Sequence, residues 1–420
     1  MKVYCCIDLK SFYASAECVE RGLDPFKANL VVADPDRGRG AICLAVSPAL
    51  KAAGVKNRCR LFEIPKKLNY IVAKPRMKAY MQKSAEIYSI YLKYISAEDI
   101  LVYSIDECFF DFSEYLSMYG KTPLQLAKEI TGEVYKRTGI TGAAGLGTNM
   151  FLAKVALDIT AKHSPDFTGY LDEELFKKTI WHHKPITDIW NVGPGIAERL
   201  LKYGITDLYG VAHCNEDVLY KEFGVNAELL IDHSRGIEPC TIKDAHDYKA
   251  ETASVSTSQI LFSDYTVQDA LIVLKEMVYG LVLEIAEKGL ETDSISLYTG
   301  YSDRAKKHTG GTRRLKAPTQ SYNKLIGEFT KLFDETVPLD AKIRKITVGL
   351  NDLTTAKYGI YDFFADPEKE KKETDLLKTV VNIKHRYGKN SLLKGTDYEP
   401  RATQRERNRM IGGHNGGEET

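Results

Sequence analysis

Ser104-Ile105-Asp106-Glu107-Cys108-Phe109-Phe110-Asp111 sets two successive acids where one apolar run, 101–105, meets another, 108–112. Like charges at a tight strand junction repel and are costly to bury unless something positive lies between them. Asp8 ends a further apolar run, Met1-Lys2-Val3-Tyr4-Cys5-Cys6-Ile7, and supplies a third acid. Hard oxygen donors converging from two neighbouring strands suit magnesium, which keeps some waters and takes other ligands from substrate phosphates. Two such ions can activate a hydroxyl and stabilise a leaving pyrophosphate in an in-line displacement. On the Asp-Glu pair alone, two solvated turn acids are the commoner reading. Asp111 belongs to the far side of the same strand and reads as structural.

Around this stretch, residues 1–165 alternate short β-rich runs with helical ones. Strands are expected at 3–7, 30–33, 42–46, 70–73, 101–105 and 143–146, and helices at 11–20, 78–94, 123–138 and 149–161. From 186 to about 236 the pattern is helical and glycine-punctuated. A polar stretch, 237–248, reads as a linker. A second α+β unit is expected at about 249–352, with a helix at 267–286 and strands at 295–300 and 343–349. The charged tail beyond 353 is expected to be mobile unless bound.

A chain of 420 residues implies two to four domains, and 44% hydrophobic content is ordinary for a globular protein. No apolar run is long enough for a membrane span, and the N-terminus lacks a signal peptide's apolar core and cleavage site. The eight cysteines include no C-x-x-C pair, which argues against zinc and fits reduced thiols in the cytoplasm. The net charge of +1 excludes no polyanion partner, because basic patches act locally.

Three motifs carry a resemblance over about residues 1–350. Asp8-Leu9-Lys10-Ser11-Phe12-Tyr13-Ala14-Ser15, the Ser104 stretch, and Gly145-Leu146-Gly147-Thr148-Asn149 followed by Ala153-Lys154 and Ala161-Lys162 resemble the palm motifs of Y-family, lesion-tolerant DNA polymerases of the UmuC/DinB type. The resemblance implies an α+β, multi-domain right hand. Its parts would be a ferredoxin-like palm (1–20 and 75–168), small fingers (21–74), a helical helix-hairpin-helix thumb (169–236), the linker, an α+β little finger (249–352) and a C-terminal tail (353–420). It implies two Mg2+ ions held by Asp8, Asp106, Glu107 and the Leu9 carbonyl, with Asp106 and Glu107 catalytic. Nucleotide contacts would come from Phe12, Tyr13, Lys51 and Lys162, with Tyr13 as the sugar gate and Phe12 packing into the palm.

In the fingers, Ser47-Pro48-Ala49-Leu50-Lys51 departs from the DinB pattern of a Tyr and an Arg three residues later. Lysine cannot make the forked contact of arginine, and the departure points toward the UmuC/UvrX-like bacterial branch. Ile42 and Arg58 match positions near the templating base; a core isoleucine and a surface arginine are the plain alternatives. Trp190-Asn191-Val192-Gly193-Pro194-Gly195-Ile196 resembles a hairpin whose Gly193, Gly195 and Ile196 meet a DNA phosphate. The basic run Arg304, Lys306, Lys307, Arg313, Arg314 would grip the duplex. Tyr361, Phe363 and Phe364 stand where relatives carry a sliding-clamp peptide, although the expected Gln is absent.

The implied activity is low-fidelity primer extension across damaged template, without proofreading. The implied partners are primer–template DNA, deoxynucleoside triphosphates, a sliding clamp and a UmuD-like or recombinase accessory. A palm-type nucleotidyl cyclase and a catalytically silent DNA- or clamp-binding scaffold are the rivals.

Overall fold

The apolar run before Asp8 forms the strand on which the first half of the molecule is built. In the computed structural model, which describes residues 2–250, 253–303, 305–356 and 367–417, that strand is β1 (Tyr4–Leu9). It is followed by β2 (Leu30–Val32), β3 (Ala45–Val46), β4 (Ile71–Ala73), β5 (Ile100–Val102), β6 (Glu107–Asp111), β7 (Gly142–Gly147) and β8 (Thr168–Leu171). Five of these form one sheet in the order β5-β6-β1-β7-β8. β1 lies at its centre, antiparallel to β6 and β7, and its register sets Asp8 directly opposite Glu107. Being central, β1 is apolar on both faces.

The alternation of side chains divides those faces. On one, Phe110 meets Tyr91 of the helix Met77–Tyr91 edge-on at 5.0 Å. On the other, Cys6 and Phe109 pack with Met150, Ala153 and Leu157. The second contact depends on two glycines of β7. A Cβ on Gly145 would lie 2.2 Å from the Ala153 carbonyl oxygen, and one on Gly147 would lie 2.4 Å from the Ala153 nitrogen. Only glycine lets the helix Met150–Val155 approach this closely.

β2, β3 and β4 form a separate sheet in the order β3-β2-β4 around Val31, Cys43, Val46 and Leu50. The strand expected at 42–46 shrinks to Ala45–Val46, with Ile42 making only an isolated bridge to Arg60. Short helices follow between Glu173 and Ser234, packed around Phe176, Leu200, Leu219 and Ile231.

Met1–Tyr248 is one compact unit and Lys249–Thr420 a second. The second contains β9 (Ala253–Tyr265), β10 (Leu290–Tyr301), β11 (Thr309–Thr319) and β12 (Ile343–Thr355), in the order β11-β10-β12-β9. Its two strands placed from the sequence are longer than expected, and β9 and β11 complete the four-stranded sheet that the resemblance implies. Within this unit the helices Val267–Glu287 and Tyr322–Thr336 pack on one face of the sheet.

The tail corrects an expectation of mobility. The helix Pro367–Tyr387 packs along Val267–Glu287, burying Leu377, Val380 and Val381. Further on, Lys394 lies 3.6 and 3.3 Å from the ring centres of Tyr279 and Tyr322. Thr403 donates its N–H and hydroxyl to the buried Glu276 carboxylate at 2.9–3.1 Å. Charge-rich composition hid a narrow apolar stripe spaced three and four residues apart. Arg304, Tyr361, Phe363 and Phe364 lie outside the described residues.

Candidate active site

Asp8 and Glu107 face each other across the paired ends of β1 and β6, on the side covered by the helix Met150–Val155. Asp106 ends the turn from β5, where the Tyr103 and Ser104 N–H groups both donate to the Glu107 carbonyl at 3.0 Å. Its own carbonyl accepts from the Leu9 N–H at 2.9 Å, and its carboxylate accepts from the Ser104 hydroxyl at 2.7 Å. Asp106 also borders a largely apolar pocket of about 410 Å³ lined by Leu9, Met81, Tyr88, Tyr91 and Cys108.

Two lysines balance the acids. Lys154 is buried and sits 2.6 Å from Glu107, whose carboxylate also accepts from the Cys6 thiol at 3.2 Å. Lys162 donates to Asp8 at 3.3 Å. Asp158 joins them, 3.1 Å from Lys154 and accepting from Lys162 at 2.8 Å. Burial pushes the Asp8 carboxyl up to about 6; Lys162 opposes the shift, and Asp106 and Glu107 reinforce it. Burial works against the charge on Lys154, but Cys6, Glu107 and Asp158 hold its pKa above the ordinary lysine value.

The three acids have not gathered their oxygens around one point. Among the described residues, no group of three His, Cys, Asp or Glu side chains is arranged to hold a metal ion. The reason is visible in the contacts: Glu107 is turned onto Lys154, Asp8 onto Lys162, and Asp106 onto Ser104. The donor chemistry still fits a hard divalent cation, since every side-chain donor is a carboxylate.

Further basic groups surround Asp8. Lys10 lies 3.8 Å from the ring centre of Phe167, and burial lowers its pKa while Asp8 opposes that shift. Lys51, on the short helix Pro48–Ala52, is within electrostatic reach of Asp8, Asp106 and Lys162.

Tyr13 is half-buried on the helix Phe12–Glu20 and stacks on Tyr80 at 4.6 Å, the rings 20° apart. The Tyr80 hydroxyl donates at 2.8 Å to Glu17, a fully buried carboxylate gripped by Arg76 and Arg21. Phe12 is 2% exposed and its side chain packs in the core, whereas its neighbour Tyr13 is half-buried. Ile42 and Arg58 are exposed, and Arg58 adopts a left-handed φ of 59°.

Gly193 caps the helix Pro194–Leu201, and a Cβ on Gly193 or Gly195 would meet nothing within 4 Å. Ile196 instead packs partly into the surrounding helical core. The adjacent Trp190 donates its indole N–H to the Tyr103 hydroxyl at 3.0 Å.

The basic run in the second unit is divided by strand alternation. Arg313 turns to the helix side and pairs with Glu328 at 3.6 Å and with Glu335. Its guanidinium is thus paired within its own unit. Arg314 is 82% exposed on the opposite side, near Asp293. Lys306 and Lys307 are exposed in the loop before β11.

Lys10, Lys154, Asp158, Tyr80 and Glu17 received no role from the sequence. The spacing 154, 158, 162 was a readable signal, since residues four apart share a helix face. The Glu17–Tyr80 contact spans 63 positions and leaves no local trace.

Two models of the impB/mucB/samB family match the chain, one at residues 7–158 and the family's C-terminal domain at 252–362. The chain is 29% identical to a putative UV-damage repair protein UvrX of Bacillus subtilis (strain 168), over 97% of this chain and 96% of that protein. It is also 29% identical to DNA polymerase IV 2 of the same organism, over 98% of each. Among solved structures, a Y-family DNA polymerase chimera, Dbh-Dpo4(243-245)-Dbh, superposes with a TM-score of 0.65 at 20% identity, covering 84% of this chain and all of that one. The fold is thus that of the multi-domain α+β polymerases, and the two family models together take in more than half of the sequence. The chain belongs to the impB/mucB/samB family of Y-family DNA polymerases.

Proposed function

We propose that this protein is a template-directed DNA polymerase that extends a primer 3′ end across damaged template, with low fidelity and without proofreading. The observation that carries the reading is the pairing of Asp8 with Glu107 at the end of the central strands, beside Asp106 and beneath a group of lysines. Asp8, Asp106, Glu107 and the Leu9 carbonyl would hold two Mg2+ ions, which when bound supply the positive charge that in-line nucleotidyl transfer requires.

The chain's own residues do the rest. Lys162, Lys51 and Lys10 lie where a triphosphate would meet ammonium groups. Tyr13, held by Tyr80, would lie beneath the sugar and reject a 2′-hydroxyl. Ile42 and Arg58 would border the templating base.

The bare Gly193 and Gly195 leave room for a phosphate at the helix N-terminus. Arg314, Lys316 and Lys345 alternate onto the sheet face of the second unit opposite its helices, a surface suited to duplex phosphates. Palm, fingers, thumb and little finger follow the boundaries given above. A sliding clamp at Tyr361, Phe363 and Phe364, a UmuD-like or recombinase accessory, and a cytoplasmic location complete the proposal.

Primer extension and DNA affinity, measured together, test it. Asp106→Ala and Glu107→Ala should abolish extension with Mg2+ and leave primer–template affinity within about twofold, since phosphate contacts at other positions carry binding. Extension at the wild-type rate in either variant refutes the metal assignment. A wild-type protein that binds primer–template but never extends it supports the silent-scaffold alternative.

A further inference from the structure

Asp158 is not among the acids assigned to metal, yet it touches both Lys162, proposed for the triphosphate, and Lys154, the partner of Glu107. It sits in a π-helical turn, Ala156–Thr160, between the helix Met150–Val155 and the 3-10 turn Ala161–His163. Residues four apart drift by about 40° around a regular α-helix, and a wider turn reduces that drift. Lys154 and Lys162, four positions before and after Asp158, both reach its carboxylate. The result is an unbroken series of opposite charges: Glu107, Lys154, Asp158, Lys162, Asp8. Its two ends stand opposite each other in strand register.

Within this series Lys162 has two partners of unequal closeness. It lies 2.8 Å from Asp158 and 3.3 Å from Asp8. Its side chain is about one-third exposed, whereas Lys154 is closed in against Glu107. Lys162 is thus the member that can leave Asp8, and Asp8 is a carboxylate that a divalent cation needs.

We propose that Lys162 occupies Asp8 as a displaceable counter-charge, and that Asp158 is the positioning residue that shares the lysine and so keeps it from binding too tightly to Asp8. A triphosphate draws the Lys162 ammonium off Asp8, which frees that carboxylate, so nucleotide and divalent cation load the site together. This inference rests on Asp8 being a metal ligand. It adds that a lysine competes with the metal and that Asp158 sets the competition.

The experiment measures Mn2+ binding to the full-length protein without nucleotide, from the loss of the free-ion electron paramagnetic resonance signal. Lys162→Met should bind Mn2+ about five- to tenfold more tightly than wild type, the scale of one charge-assisted hydrogen bond no longer competing. The same variant should bind a non-hydrolysable deoxynucleoside triphosphate more weakly. Lys10→Met removes a neighbouring charge that makes no hydrogen bond to Asp8, so it should tighten Mn2+ binding far less.

Asp158→Asn, which leaves Lys162 with Asp8 as its only carboxylate, should weaken Mn2+ binding severalfold. That effect should vanish in the Asp158→Asn/Lys162→Met double variant, because Asp158 acts through the lysine. An Asp158→Asn effect of equal size in both backgrounds overturns the positioning role. Equal tightening in Lys10→Met and Lys162→Met overturns the competition. Wild-type Mn2+ binding that survives Asp8→Asn overturns the metal reading itself, a result distinct from either.

Discussion

Removing the ring of Tyr13 should open the site to ribonucleotides, and the structure bounds the size of the effect. Tyr13 stacks on Tyr80 at 4.6 Å with the rings 20° apart, a contact worth about 0.5–1.5 kcal/mol beyond the area it buries. If that stack were all that held the ring, a 2′-hydroxyl could push it aside for that amount, and discrimination would stop at about two- to tenfold. The ring is held more firmly. Tyr80 is itself buried, with its hydroxyl on Glu17 and Glu17 gripped by Arg76 and Arg21, and Phe12 flanks Tyr13 at 5.8 Å. A gate braced in this way should be worth about 3–5 kcal/mol, a hundredfold or more.

The assay is the ratio of kcat/KM for dNTP to that for rNTP. Tyr13→Ala should collapse the ratio by about two orders of magnitude with little loss of dNTP insertion. Tyr80→Leu keeps apolar bulk but removes the stack and should lower the ratio by about two- to tenfold; Tyr80→Phe keeps the stack and should fall between this variant and wild type. A Tyr13→Ala ratio equal to wild type refutes the gate. A Tyr80→Leu protein that loses dNTP and rNTP insertion equally refutes the bracing.

Three other perturbations have definite expected outcomes. Lys154→Met strands the buried Glu107 carboxylate and should cost about 3–5 kcal/mol in urea unfolding, with much of that recovered in Lys154→Met/Glu107→Gln; an additive double variant would contradict the pairing. For Asp8, whose carboxyl rises from 3.8 to about 6 on folding, the folded chain binds more protons than the unfolded chain between those values, so stability falls as pH rises through the window. Asp8→Asn should therefore melt above wild type at neutral pH and converge with it below pH 3.8; a constant offset at all pH values would contradict the assignment. Arg314→Ala should reduce the salt dependence of DNA binding by about one ion, while Arg313→Ala should lower melting temperature and leave that slope unchanged; the reverse outcome would reverse the two faces.

The acids and the glycines of β7 were legible through the three motifs that carry them, since the Asp-Glu pair alone reads as two solvated turn acids. Geometry between distant segments was less accessible. The basic run sets Arg313 and Arg314 side by side, but only a paired strand with a helix behind it shows that one is tied to glutamates. The tail helix was lost for a related reason. Leu377, Val380 and Val381 are too few to stand out among charges, and become a core stripe only against Val267–Glu287. Tyr80 could not be tied to Tyr13 at all, because the contact is made by the crossing of two helices.

The buried charges also bear on the choice between enzyme and silent scaffold. A sheet flanked on both sides by Phe109, Phe110, Tyr91 and Met150 has apolar packing enough to hold its strands together. Exchanging a buried ion pair such as Glu107–Lys154 for well-packed apolar residues is often neutral or stabilising. The raised pKa of Asp8 likewise marks a carboxylate whose ionised form folding disfavours. A protein that only bound DNA would draw its affinity from exposed groups such as Arg314, Lys306 and Lys307, and would gain nothing from acids held at the end of the central strand. Buried acids that oppose folding and are balanced by a half-buried lysine are what the proposed cation and phosphate site requires. A nucleotidyl cyclase could use the same acids, but it would have no use for a bare glycine hairpin at Gly193 or a basic sheet face in a second unit. The polymerase reading accounts for all three features with one substrate.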